Sequence, residues 1–136
     1  MISACGVLCS MCPAYMGKEK GSDYQQITAE AWNRLFGLGV TADQIKCCGC
    51  TGPDEEIYHS SIKCKARNCC RNKGLNNCVE CSVEPCEDLE KAQSVWDEVP
   101  DLITKISSSD FEIYVRPYCG HRDRLQNERN LFRQGR

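Results

Sequence analysis

The residues able to do chemistry in this chain carry sulfur, and they fall into five groups: Cys5-x3-Cys9-x2-Cys12, Cys47-Cys48-Gly49-Cys50, Cys64-x4-Cys69-Cys70, Cys78-x2-Cys81-x4-Cys86, and an isolated Cys119 two residues before His121. The x2 spacing is what points to metal. Two intervening residues let both thiolates of a tight turn face one ion while backbone N–H groups point at the sulfurs, and a tetrahedral zinc takes two such half-sites. Cys9/Cys12, Cys47/Cys50 and Cys78/Cys81 each have that spacing, which predicts zinc bound in two structural sites. Gly49 favours the middle turn, because such knuckles commonly require a positive φ.

The nearest complete ligand set is Cys47, Cys50, Cys64 and Cys69, expected as the first zinc site. A second site draws on Cys5, Cys9, Cys12, Cys78, Cys81 and Cys86, with Cys9 and Cys12 set against Cys81 and Cys86 as the favoured pairing. Only one member of each doublet, Cys47-Cys48 and Cys69-Cys70, easily faces a given ion, so the other reads as a small buried thiol. Rival chemistries use the same residues. Four-cysteine sites accept iron as well as zinc, so an iron–sulfur or thiol redox protein stays open. The run Cys5-x3-Cys9-x2-Cys12 has the spacing of radical enzymes that use S-adenosylmethionine, but those need a barrel of roughly two hundred residues or more. A thioredoxin-like role needs a strand before C-x-x-C, and none precedes Cys9. Catalytic zinc needs an open position, usually with histidine nearby. The two histidines, His59 and His121, read as a loop residue and a surface or helix-start residue. No nucleophile–base pair or carboxylate pair stands out, so the expected role is a binding or interaction module with a protein partner.

These ligands must be positioned by a chain of 136 residues, the size of one domain. Its apolar fraction of 41% counts 13 cysteines, and without them it is about a third of the chain, below the usual globular range. The expected fold is a small metal-stabilised α+β or mostly α domain, with short helices around two cysteine-rich sites. Asp23 and Gln26 read as a capping pair for a helix near 24–36, ended by Gly37 and Gly39. Thr41 and Gln44 repeat that spacing before Cys47. Residues 65–73 suit a short helix closed by Gly74, and 87–96 another. Leu102, Ile103 and Ile106 suggest a further turn, and 107–109 a loop. Phe111, Ile113 and Val115 alternate with polar residues, which predicts a strand stopped by Pro117. A helix is expected over about 122–134. No signal segment opens the chain and no run reaches membrane-spanning length, so a cytoplasmic, reducing setting is expected.

The ordered set Cys5-Gly6-Val7-Leu8-Cys9-Ser10-Met11-Cys12-Pro13-Ala14-Tyr15, Cys47-x2-Cys50, Cys64-x4-Cys69 and Lys73-Gly74-Leu75-x2-Cys78-x2-Cys81-x3-Pro85-Cys86 resembles the cysteine-rich prokaryotic family known as domain of unknown function 3795. The likeness spans about residues 5–90. It implies a small cytoplasmic metal-binding protein, zinc-finger-like, with no established reaction. The resemblance favours Cys69 over Cys70 after Cys64. Cys48, Cys70 and Cys119 fall outside it, as does a helical extension over about 100–136.

Charge is segregated although the net is only -2. Lys63, Lys65, Arg67, Arg71 and Lys73 form a run without an acid, and six arginines stand against two acids from Arg116 to Arg136. Seven acids and one lysine lie between Glu84 and Asp101. Such a pattern can steer a polyanion, which makes nucleic acid an alternative partner. The other reading is that basic side chains offset the charge of thiolate sites.

Overall fold

A computed structural model describes residues 2–99 and 106–135. The chain folds as α1 (Pro13–Lys20), α2 (Ser22–Phe36), α3 (Lys65–Lys73), α4 (Glu87–Asp97), α5 (Ser108–Tyr114) and α6 (His121–Gln134), joined by short 3-10 turns. Among the described residues the only β pairing is an isolated antiparallel bridge between Ile2 and Leu8, so the fold is mostly α. No helix among them is long and apolar enough to cross a membrane.

Pro13 sits at the first helical position of α1, where its missing N–H costs nothing. The α1 helix runs straight into Gly21, whose φ of 88° turns the chain and serves as N-cap of α2. Consequently α2 begins before Asp23, and the expected Asp23–Gln26 cap is not formed; Gln26 instead donates to Glu30 at 2.9 Å. Gly37, in the left-handed region at φ 63°, ends α2. Thr41 and Gln44 do form a capping box, around the short turn Ala42–Gln44. Gly74, at φ 70°, closes α3.

The strand expected at 111–115 is a helix. Ser107 caps α5 by accepting the Asp110 amide at 3.2 Å. Tyr114, Val115, Pro117 and Tyr118 are buried here, and Phe111, Tyr114, Val115 and Tyr118 fall at i, i+3, i+4 and i+7, the period of a helix face. Ile113 points to solvent. Pro117 then opens the turn Arg116–Tyr118 instead of ending a strand. Ser108 and Ser109, expected in a loop, form the first turn of α5. Leu102 and Ile103 lie outside the described residues.

Two small cores result. One gathers Ala4, Cys5, Val7, Ala66, Cys70, Cys78, Leu89, Tyr118 and Leu125. The other gathers Ala14, Ala29, Ala31, Trp32, Val40, Ile45 and Tyr114. Cys12 packs against both. The segregated charges are used internally: Arg122 on α6 grips Glu90 at 2.8 Å and Asp97 at 2.7 Å on α4, while Arg129 and Arg133 share Glu84. In the run before Gly74, Arg67 and Arg71 both pair with Asp54 at 2.8 Å.

Candidate metal centre

The N-terminal half-site is made by local hydrogen bonding. The Ser3 amide donates to the Val7 carbonyl at 2.8 Å and the Val7 amide to Ser3 Oγ at 3.0 Å, closing a loop that carries Cys5. Gly6 allows this loop to approach α6, because a Cβ there would lie 2.2 Å from the His121 carbonyl oxygen. The next residues form the turn Cys9–Met11, with the Cys12 amide donating to the Cys9 carbonyl at 2.9 Å. Pro13 then starts α1, and the Ala14 and Tyr15 amides face the Cys12 sulfur.

The second half-site is the Cys47–Cys50 knuckle, where Gly49 takes φ 91°. Its exit is held by Arg67, which has no solvent exposure and donates to the Cys50 carbonyl at 3.0 Å, the Gly52 carbonyl at 2.7 Å and Asp54 at 2.8 Å. A buried guanidinium with every arm engaged fixes the backbone it grips. In the sequence Arg67 is one member of a basic run without an acid; its burial identifies its task.

The fold brings these half-sites together. Burial pushes the Cys9 thiol far up, and the nearby thiols of Cys50, Cys12, Cys47 and Cys5 push it further. The Cys50 thiol is pushed up to about 12, first by burial, with the Ala4 amide opposing and Cys5, Cys47 and Cys64 adding repulsion. Cys5 is raised by burial, with Ser3 and the Val7 amide pulling the other way and Cys64 adding to the rise. Burial also raises Cys12, against the Tyr118 hydroxyl and the two helix amides. Tyr118 meets the Cys12 sulfur at 3.2 Å and stacks on Trp96 with ring centroids 4.8 Å apart. Cys5, Cys9, Cys12, Cys47, Cys50 and Cys64 thus share one neighbourhood.

That grouping differs from the expected one. Cys9 and Cys12 lie beside Cys47 and Cys50, whereas Cys69 lies with Cys81, both acting on the Lys73 ammonium and raising its pKa. Cys70 and Cys78 meet with sulfurs 3.6 Å apart. Cys86 is the residue before α4 and packs against the first core. Cys48 reaches towards Glu56 at 3.8 Å, and Cys119 donates back to the Val115 carbonyl at 3.5 Å. His121 starts α6 as expected but is 4% exposed, not at the surface, with Nε2 2.8 Å from the Gln93 carbonyl and 3.1 Å from Asp97. His59 is exposed and its ring lies against Tyr58.

All thirteen cysteines are free thiols. Among the described residues, no three Cys, His, Asp or Glu side chains stand as a ready coordination cage. No curated protein and no solved structure matches the chain. The family described as Protein of unknown function (DUF3795) matches residues 1–91, a span that holds both half-sites together with Cys64, Cys69, Cys70, Cys78 and Cys81; the chain belongs to that family.

Proposed function

We propose that this chain is a zinc-binding protein whose Cys9, Cys12, Cys47 and Cys50 hold a structural ion, and that it serves as a binding or interaction module, not an enzyme. One observation carries the reading: Cys12 packs against both cores, with Cys50 against one and Cys47 against the other, and after burial the thiols that most raise Cys9 are Cys50, Cys12 and Cys47, the other members of two C-x2-C turns. Two such turns facing each other are the arrangement that encloses tetrahedral zinc. Sulfurs buried this closely cannot all ionise unless a cation joins them. Cytoplasmic residence fits, since a reducing compartment keeps thiols available for metal.

An iron–sulfur cluster is the second reading, favoured by Cys5 and Cys64, which add thiols beyond the four that zinc requires. Elemental analysis of protein purified without oxygen separates the two. Colourless protein with zinc supports the first reading and brown protein with iron the second. Protein that neither retains nor takes up either metal rules out both.

A further inference from the structure

Cys70 and Cys78 take no part in the centre at Cys9, yet the fold brings them together. Gly74, at φ 70°, reverses the backbone after α3, with the Leu75 amide donating to the Cys70 carbonyl at 2.8 Å. Asn77 then accepts the Val79 amide at 3.0 Å and sets the turn Cys78–Glu80. Cys78 is fixed there through both of its backbone groups: its amide donates to the Ala4 carbonyl at 3.2 Å, and its carbonyl accepts from Arg129 Nε at 2.9 Å. Arg129 is itself 5% exposed and anchored on Glu84 at 2.6 Å. The result is a sulfur–sulfur contact of 3.6 Å inside the first core, with Cys70 4% and Cys78 7% exposed.

Among the described residues no third Cys, His, Asp or Glu side chain completes a metal cage with this pair. Its chemistry is that of two thiols in contact. Bonded sulfurs lie about 2.05 Å apart, so both are reduced here. Other thiols meet oxygen instead: Cys5 the Ser3 hydroxyl, Cys12 the Tyr118 hydroxyl and Cys119 the Val115 carbonyl. Those partners cannot bond covalently to sulfur by loss of two hydrogens; a second thiol can. The hydrogen bond from Cys78 lowers the pKa of Cys70, and Lys73 and Arg129 add to that against burial. A sulfur with thiolate character beside a thiol is the arrangement that oxidants attack first.

We propose that Cys70 and Cys78 form a reversible redox pair, which a peroxide converts to an intramolecular disulfide and a dithiol reductant restores. The Cys70 thiolate attacks one peroxide oxygen and the O–O bond breaks; Cys70 becomes a sulfenic acid, and the departing hydroxide takes a proton from solvent to become water. The Cys78 sulfur then attacks the Cys70 sulfur. The S–O bond breaks, and the hydroxyl leaves with the Cys78 proton as a second water. Two electrons have passed from the thiols to one peroxide. The new bond ties the end of α3 to the turn that Arg129 of α6 holds. Disulfides of this transient kind are the ones that a reducing compartment permits. None of the sulfurs assigned to zinc is used, so the pair and the Cys9 centre stand or fall separately.

The test exposes the full chain, purified without oxygen, to hydrogen peroxide, followed by N-ethylmaleimide, digestion without reductant and mass spectrometry. The expected product is a Cys70–Cys78 cross-link, two hydrogen masses below the sum of its peptides, in protein that keeps its helical circular dichroism. Dithiothreitol should abolish it. Cys69→Ser and Cys86→Ser should retain the link, and Cys70→Ser should lose it. The wild type carries the decision, so a variant that fails to fold does not obscure it. Recovery of Cys70 and Cys78 as alkylated thiols, their conversion to sulfinic or sulfonic acids without a link, or cross-links that join them to other cysteines each overturn the pair.

Discussion

Single side chains here are answerable to backbone positions as much as to each other. Replacing Gly6 with alanine sets a Cβ 2.2 Å from the His121 carbonyl oxygen at a φ of 103°, so either the N-terminal loop or α6 must move. The expected loss is roughly 2–4 kcal/mol, read from the urea midpoint. Arg67→Met should cost a similar amount, about 2–4 kcal/mol, because it leaves the Cys50 and Gly52 carbonyls without their donor. Chelator competition should show weaker zinc retention by that variant, on the order of 10-fold or more. A variant with unchanged midpoint and affinity would make the grip on Cys50 incidental. At this scale the sequence was readable where a local rule applied. Gly49 needed a positive φ and has one. The partners of each half-site were unreadable, since spacing along the chain carries no information about which distant turn arrives opposite, and Cys70 gained its neighbour only through the reversal at Gly74.

Between elements, the α4–α6 contact depends on charge. Arg122 holds the Glu90 and Asp97 carboxyls below their usual range, first through its hydrogen bonds to them. A carboxylate whose pKa is depressed on folding adds stability that is fully present well above its unfolded pKa. That contribution is lost as the pH falls towards the folded value. Thermal midpoints measured from pH 6 down to pH 4.5, about where unfolded Asp and Glu start to take up protons, should therefore fall more steeply in wild type than in Arg122→Ala. Any part of the fall due to released metal is common to both proteins. Equal slopes would show that the fork contributes nothing. The helices α2, α3, α4 and α6 were legible because each shows an apolar period or a closing glycine. The α1 helix escaped notice because its apolar residues make no continuous stripe, leaving Pro13 as the one signal. The α5 helix is hidden in the sequence because Phe111, Ile113 and Val115 alternate as in a strand, while its helical face is completed only by Tyr114 and by Tyr118 beyond the helix end.

For the molecule as a whole, two thin cores meet at Cys12, and each has its own tryptophan: Trp96 stacked on Tyr118 in one, Trp32 edge-on to Tyr58 at 5.4 Å in the other. Structural zinc contributes about 10–16 kcal/mol per site, against about 5–15 kcal/mol for the net stability of a domain. Chelation is therefore expected to leave the chain largely unfolded, with loss of helical circular dichroism and of both near-ultraviolet tryptophan bands. A metal-free chain that keeps both bands would show that hydrocarbon packing alone suffices. Trp96→Phe and Trp32→Phe assign each band to its core.

The N-terminal loop is closed by the far end of the chain: Leu8 donates to the Pro117 carbonyl, Arg124 to the Gly6 carbonyl, and Tyr118 touches Cys12 across 106 residues of sequence. Closure over such a separation carries a large entropic cost until the distant partner exists. During synthesis, the first cysteines leave the ribosome long before the segment that covers them. The nascent chain therefore holds the Cys5, Cys9 and Cys12 thiols open to solvent until the segment around residues 117–124 has emerged to cover them.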